Sequence, residues 1–157
     1  MSQEDLLRQL ETELETLRFE SFNFDDALAI GLDLVETGRR KALPIVIDVT
    51  VNRQQLFHAA LPGSSPDNDQ WVLRKSRVVA RLFTSSLAIA TALRSKGKTI
   101  EEVYGLPSAE YAAHGGSVPV QVKGAGVIGT ITVSGLPDTE DHAVVVAAIR
   151  RHLERRG

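Results

Sequence analysis

Two stretches of the chain fold back on themselves, and nothing else in the sequence limits the possible folds as much. Ile45 to Val51 is rich in β-branched residues, Asn52 and Arg53 read as a turn, and Gln54 to Leu61 reads as a returning strand. Val118 to Lys123 and Val127 to Val133 repeat the arrangement around Gly124 and Gly126. Strands joined by tight turns pair antiparallel, whereas a parallel pair needs a long crossover. In the first returning strand Phe57, Ala59 and Leu61 lie on one face and Leu56 and Ala60 on the other, so both faces of the sheet call for helical cover. The expected class is α/β (α+β), a mostly antiparallel sheet with helices on both faces.

The rest of the chain supplies that cover. Leu6, Leu7, Leu10, Leu14 and Leu17 recur at helical spacing after Ser2, and Arg18 to Phe22 reads as a short strand. Asn23 caps a second helix that should end near Gly38. LPGSSPDND is a loop, and from Trp71 to about Arg94 one broad apolar face predicts a long helix, with Thr84, Ser85 and Ser86 as a place to bend. Thr99 with Glu102 forms a capping box, Ser108 caps a brief helix through Ala113, and His114, Gly115 and Gly116 break it. Asp138 or Thr139 caps a final helix to about Arg155, in which Ala143 to Ile149 is apolar nearly all round. Its burial is expected, in part against a second subunit. No repeat or linker divides the 157 residues, so one domain over 1–157 is expected.

Composition removes several classes of function. There is no cysteine, which excludes disulfides, thiol catalysis and iron–sulfur clusters. The 18 basic and 20 acidic residues leave a net charge of -2, with no basic stripe to track a phosphate backbone, so nucleic acid is not the expected partner. The acidic start is unlike a signal peptide and no apolar run is long enough to span a bilayer, so a cytoplasmic protein without membrane partners is expected.

No catalytic or metal-binding spacing identifies a reaction. Gly124, Gly126 and Gly129 spell GxGxxG, but strand-like residues follow where a dinucleotide fold needs a helix, so a hairpin turn is expected. His58 lies on a strand with apolar neighbours, either as a buried neutral imidazole or as a ligand. His114, in a Gly-Gly loop, suits acid–base chemistry or anion binding as well as a plain turn. His142 and His152 are expected to face solvent. Arg74 and Lys75 open the expected long helix beside Trp71, where the dipole disfavours cations; a solvated charged face or a bound anion resolves this. Ser134 and Gly135, after the last strand, offer a hydroxyl and an amide, or simply a turn.

Read together, GGSVPVQVKGAGVIGTITVSGLPDTEDH resembles the carboxyl half of the haem-degrading, GlcG/HbpS-like domain family. The shared features fall on Gly115, Gly116, Pro119, Gly124 or Gly126, Ile128, Gly129, Ser134, Gly135 and Asp141. PIVIDVTVNRQQLFHAALPG looks like the family's first hairpin, and Lys75 matches a lysine of its central helix. The strings FHAALPGSSPDNDQWVLRKSRVV and VKGAGVIGTITVSGLPDTEDHAVVV resemble an uncharacterised branch with bacterial and fungal members, marked by Trp71, Arg74 and Lys75. The resemblance implies a profilin-like α/β/α sandwich with a five-stranded sheet, a tendency to homo-oligomers, and haem or tetrapyrrole binding in some relatives.

Three functional expectations follow. The first is a homo-oligomeric module for a small anionic ligand, held by Trp71, Arg74, Lys75, His114, Gly115, Gly116, Ser134 and Gly135. The second, implied by the resemblance, is a haem-binding or haem-degrading protein with His58 or His114 as axial ligand. The third is an adaptor without a small ligand. More apolar helix surface is present than one sheet can cover, so an oligomer is expected; charging Leu10 and Leu14 would tell whether the first helix lies in its interface, the competing reading being that this helix packs across the domain's own open side.

Overall fold

The computed structural model describes residues 1–156; Gly157, the last residue of the expected domain, lies outside the described residues. In chain order the elements are α1 (Gln3–Glu15), β1 (Arg18–Phe19), α2 (Phe24–Arg40), β2 (Val46–Val51), β3 (Gln54–Ala60), α3 (Pro66–Leu82), α4 (Ser86–Lys96), α5 (Ile100–Tyr104), β4 (Ser117–Val122), β5 (Gly126–Ser134) and α6 (Asp138–Arg156). The five strands form one sheet in the order β1-β4-β5-β2-β3, antiparallel except where β1 runs parallel to β4. Both hairpins fold as expected.

Strand alternation gives the sheet two unlike faces. Ile47, Val49, Ile131, Val133, Val118 and Val120 point into the main core, which Ala27, Ile30 and Leu34 of α2 and Val145 and Ile149 of α6 complete. Their neighbours in sequence point the other way, and this second face carries buried polar groups: Asp48, Ser117, Thr130, Thr132 and Ser134. Asp48 pairs in register with Thr132, which pairs with Ser117, and the last two share a hydroxyl hydrogen bond of 2.8 Å. Buried hydroxyls need partners; Ser117 and Thr132 find theirs in each other, and Ser86 of α4 docks beside them, its Oγ accepting from the Ser117 amide at 3.0 Å.

Four expectations about the elements change. The helix expected from Trp71 to Arg94 starts earlier, at Pro66, and breaks at Phe83, whose left-handed φ of 59° ends α3 before Ser85 caps α4. The turn sensed at Thr84 to Ser86 is therefore a full break. Ser108 starts no helix; the short helix is α5, closed at Gly105. Asp138 and Thr139 do not cap α6, because the amides of Glu140 and Asp141 bond to the carbonyl of Pro137. Finally, β3 is an edge strand whose residues are half-buried or exposed, while β2, paired on both sides, is buried throughout except at Thr50. Among the described residues no helix is long and apolar enough to cross a membrane.

Candidate functional site

The early start of α3 decides where its charged residues go. Ser65 precedes the helix and its amide donates to Asn68 Oδ1 at 2.9 Å. Counted from Pro66, Arg74 and Lys75 are the ninth and tenth helical residues. They are too far along for the positive end of the dipole to penalise them, since that effect fades after the first turn. Their presence needs no bound anion for that reason.

Trp71 and Lys75, four apart, share a helix face, and Arg74 lies three from Trp71. The Arg74 guanidinium sits 4.6 Å from the centre of the indole, a cation–π contact. It also donates from Nε and Nη2 to the carbonyl of Ser108 at 3.2 and 2.6 Å. His114 packs on the indole as well, in a T-shaped pair with ring centres 5.1 Å apart and planes at 87°.

Lys75 points inward and only 2 % of it is exposed. An ammonium has three protons to donate, and Lys75 Nζ reaches the carbonyls of Gly115 (3.1 Å) and Val133 (2.7 Å) and Asp141 Oδ2 (3.1 Å). Gly116 makes room for this: at φ 133° it adopts a conformation open to glycine, and a Cβ there would overlap Lys75 Nζ and the carbonyl of Val133. Asp141 Oδ1 accepts from the Leu136 amide at 3.0 Å. One turn earlier on α6, Asp138 Oδ2 takes Arg94 Nη2 at 2.7 Å and the Gly115 amide at 3.4 Å. The lysine and the loop amides, the groups the sequence offers to an anion, thus already hold two carboxylates of the chain itself.

These contacts set the protonation states. Burial pushes the Asp141 carboxyl up to about 6, against the pull of Lys75 and of the Leu136 amide. Burial pushes the Lys75 ammonium below its ordinary range, against the attraction of Asp141. Burial also works upward on Asp138, but Arg94 and the Gly115 amide hold it below the usual carboxylate range. His114 is lowered by burial and by the nearby charges of Arg94, Lys75 and Arg74, which favours the neutral imidazole near pH 7.

The result is a cavity of about 290 Å³ between the middle of α3 and the start of α6. Six residues expected from the sequence line it: Trp71, Lys75, His114, Gly115, Ser134 and Gly135. Asn68, Leu136, Asp138 and Asp141 also line it and were not expected as site residues, although the three-residue spacing of the two aspartates on one helix turn is visible in the sequence. Gly116 stands behind the cavity and Arg74 beside it. Among the described residues no group of three His, Asp or Glu side chains is placed to hold a metal ion.

The other histidines differ from expectation. His58 is not buried among apolar side chains, since it lies on the edge strand with 36 % of its side chain exposed and its Nε2 2.7 Å from Asp69 Oδ1. It does not line this cavity. His142 and His152, expected in solvent, are buried at 5 % and 6 % exposure. Their Nε2 atoms meet Glu13 Oε1 at 2.7 Å and Asp26 Oδ1 at 2.8 Å, while both Nδ1 atoms lack a hydrogen-bond partner.

Comparison with known proteins places this site in context. The family model described as haem degrading protein HbpS-like matches residues 22–150. A UPF0303 protein of Streptomyces avermitilis is 50% identical over 147 residues, covering 94% of this chain and 90% of the relative. The crystal structure of the Ybr137w protein superposes with a TM-score of 0.86 at 30% identity, over 93% of this chain and 87% of that one. The PduOC:heme complex shares the fold with a TM-score of 0.70 at 15% identity, over 83% of this chain and 94% of that one.

Proposed function

The chain belongs to the HbpS-like family, and on that premise we propose that it is a one-domain, homo-oligomeric module that binds a small organic anion at the cavity beside Trp71 and His114. The observation that carries this reading is the convergence of six sequence-marked residues from three separate segments on one polar cavity. At about 290 Å³ it has the size of a small-metabolite site. Because Lys75 and the amides of Gly115 and Leu136 already hold Asp138 and Asp141, the ligand's charge is met on the outer side of His114, and this cavity receives the polar body. Thermal-shift screening of carboxylate and phosphate metabolites tests the reading. Stabilisation that disappears in Trp71→Ala and His114→Ala is the expected result. No response from any anion, or a response untouched by both substitutions, overturns it.

The family's description makes haem the second reading. His114 supports it to the extent that its neutral imidazole has a nitrogen available for a metal. The cavity around it does not fit a tetrapyrrole: Trp71 and Leu136 are its apolar side chains, Asp138, Asp141 and Lys75 its charged ones, and its volume is small for a wide, flat and largely apolar macrocycle. His58, the other imidazole marked in the sequence, is held by Asp69 on the sheet edge. Titration with haem checks this directly, because a saturable, stoichiometric Soret band lost in His114→Ala would replace the metabolite reading with a haem protein.

The homo-oligomer rests on a different surface from the one the sequence suggests. Leu10 is packed against Leu87 and Ala88 of α4, and Val145, Val146, Ala148 and Ile149 of α6 are covered within the chain. An uncovered stripe does run along α2, where Phe24, Leu28 and Leu32 are 67%, 49% and 53% exposed at four-residue spacing. Apolar stripes of this kind mark contacts between proteins. Light scattering after size exclusion should give a mass above one chain that falls toward one chain in Leu28→Glu with Leu32→Glu; a wild-type monomer at micromolar concentration overturns the proposal. A monomer that also ignores every anion is the outcome expected of an adaptor.

A further inference from the structure

His114 has a second cavity on its other side. Its volume is about 260 Å³, and it opens between α3, the end of α4 and the loop that carries Ser108 and Tyr111. Three charged side chains line it, Arg74, Arg94 and Lys98, and among the described residues no carboxylate does. The three come from different elements. Arg74 projects from the middle of α3, Arg94 from the last turn of α4, and Lys98 follows Gly97, whose left-handed φ of 62° closes that helix. Leu93 and Ile100, both buried, give the cavity an apolar floor.

Each arginine is fixed from one end and retains donor capacity at the other. Arg74 bonds the Ser108 carbonyl through Nε and Nη2, and Arg94 bonds Asp138 through Nη2. A guanidinium has five N–H donors, so further ones remain on both. Glu102, four residues beyond Lys98, is engaged elsewhere, since its Oε1 caps α5 by accepting from the Thr99 amide at 3.0 Å. Arg94 has Asp138 as a partner, while among the described residues no salt bridge joins Arg74 or Lys98 to a carboxylate; an anion between the three would meet that remaining charge, and anchored guanidinium groups are pre-set to bind one. His114 is lowered mainly by burial, and Arg94 and Arg74 add to that lowering against the pull of Asp138.

We propose that the Arg74–Arg94–Lys98 cavity is the anion-recognition subsite of this protein, taking the phosphate or carboxylate of a small organic ligand whose apolar part rests on Leu93 and Ile100. The proposal rests on the ligand-binding reading above and adds to it where the charge is bound and what is attached to it. The ligand spans two compartments that meet at His114, with its anionic end among the cations and its remainder toward Trp71.

Calorimetry with phenyl phosphate, benzoate and inorganic phosphate as probes, at low and high salt, tests this. Phenyl phosphate should bind once per chain, weaken with salt, and weaken roughly tenfold or more in Lys98→Ala, the scale of one charge-assisted contact. Lys98→Arg should restore it. Because Lys98 is exposed, its variants keep the fold intact, and Arg94→Gln adds a second charge removal. Benzoate binding in place of phenyl phosphate would assign a carboxylate to the subsite. Inorganic phosphate binding as tightly as phenyl phosphate overturns the apolar part of the proposal. If none of the probes binds, or if binding survives Lys98→Ala and Arg94→Gln, the subsite is wrong. Should metabolite binding then still depend on Trp71 and His114, the module stands and only this subsite falls.

Discussion

The two cavities that meet at His114 are similar in volume, about 290 and 260 Å³, and handle charge in opposite ways. In the first, every charge has its partner inside the protein: Lys75 faces Asp141 and two carbonyls, and Asp138 faces Arg94 and an amide. In the second, three cations face an opening without a lining acid. Charge paired within the chain makes structure and charge left without an acid makes affinity, so the polar frame of the first cavity should govern stability and Arg74 and Lys98 of the second should govern recognition of the ligand's charge. Arg94 belongs to both, with one nitrogen on Asp138 and the rest of its fork toward the cations.

The largest test of this contrast is Lys75→Met. It leaves a buried carboxylate and two carbonyls without their donor, and removing one member of such a pair costs about 3–5 kcal/mol. Urea unfolding should show that loss, and adding Asp141→Leu should recover a good part of it. A single variant that unfolds within about 0.5 kcal/mol of wild type would show that the pair is not structural. Gly135→Ala comes next. Gly135 sits at φ 139°, where a Cβ would overlap the carbonyl of Pro44, and holding a side chain in that region costs about 1–3 kcal/mol. An unchanged unfolding midpoint would remove Gly135 from the frame of the first cavity.

A smaller effect belongs to pH. The Asp141 carboxyl is raised from 3.8 to about 6, so between these values the folded chain keeps a proton that the unfolded chain has lost. Its contribution to stability is therefore fully present below about pH 4 and declines as pH rises through about 6. The lowered carboxylates Asp33 and Asp138 work with the opposite sign below that window, and His114, held by burial below its ordinary range, works with the opposite sign inside it. Urea midpoints measured from about pH 4 to about pH 7 should therefore fall more, or rise less, with pH in wild type than in Asp141→Asn; parallel slopes would mean that Asp141 does not titrate there. The smallest effect sharpens the other half of the contrast. Lys98→Ala should move stability by no more than about 0.5 kcal/mol, and a larger loss would make the second cavity structural too.

What the sequence discloses depends on whether neighbours or topology decide a residue's surroundings. The hairpins are legible because β2 and β5 alternate visibly and turn at Asn52–Arg53 and at Gly124. That β3 ends up at the edge, exposing His58, is a property of strand order, which no pattern inside Gln54–Ala60 contains. The apolar face from Val72 to Leu93 runs through Phe83 without interruption, so its left-handed break stays hidden. The burial of His142 and His152 has a local sign that was missed: with Val145 and Ile149 they fall three, four and three residues apart, on one stripe of α6. At the site, Trp71, Lys75, His114, Gly115, Ser134 and Gly135 were legible as turn and helix residues worth marking. Their internal counter-ions were not, because Lys75 and Asp141 are 66 positions apart and only the fold brings them together.

α6 does more than cover the sheet. Its 19 residues make a strut about 28 Å long, pinned along its length to separate parts of the molecule. The first turn holds Arg94 and Lys75 through Asp138 and Asp141, His142 reaches α1 through Glu13, and His152 and Arg156 grip Asp26 at the start of α2. A helix does not shorten along its axis, so the Asp138–Arg94 junction at one end and the Asp26 junction at the other are held at a fixed separation. The far junction is tied down twice, because Arg156 also holds the carbonyl of Ser21 at 2.8 Å, and a change in the Asp138 contact would be read as altered amide exchange around Ser21 to Asp26.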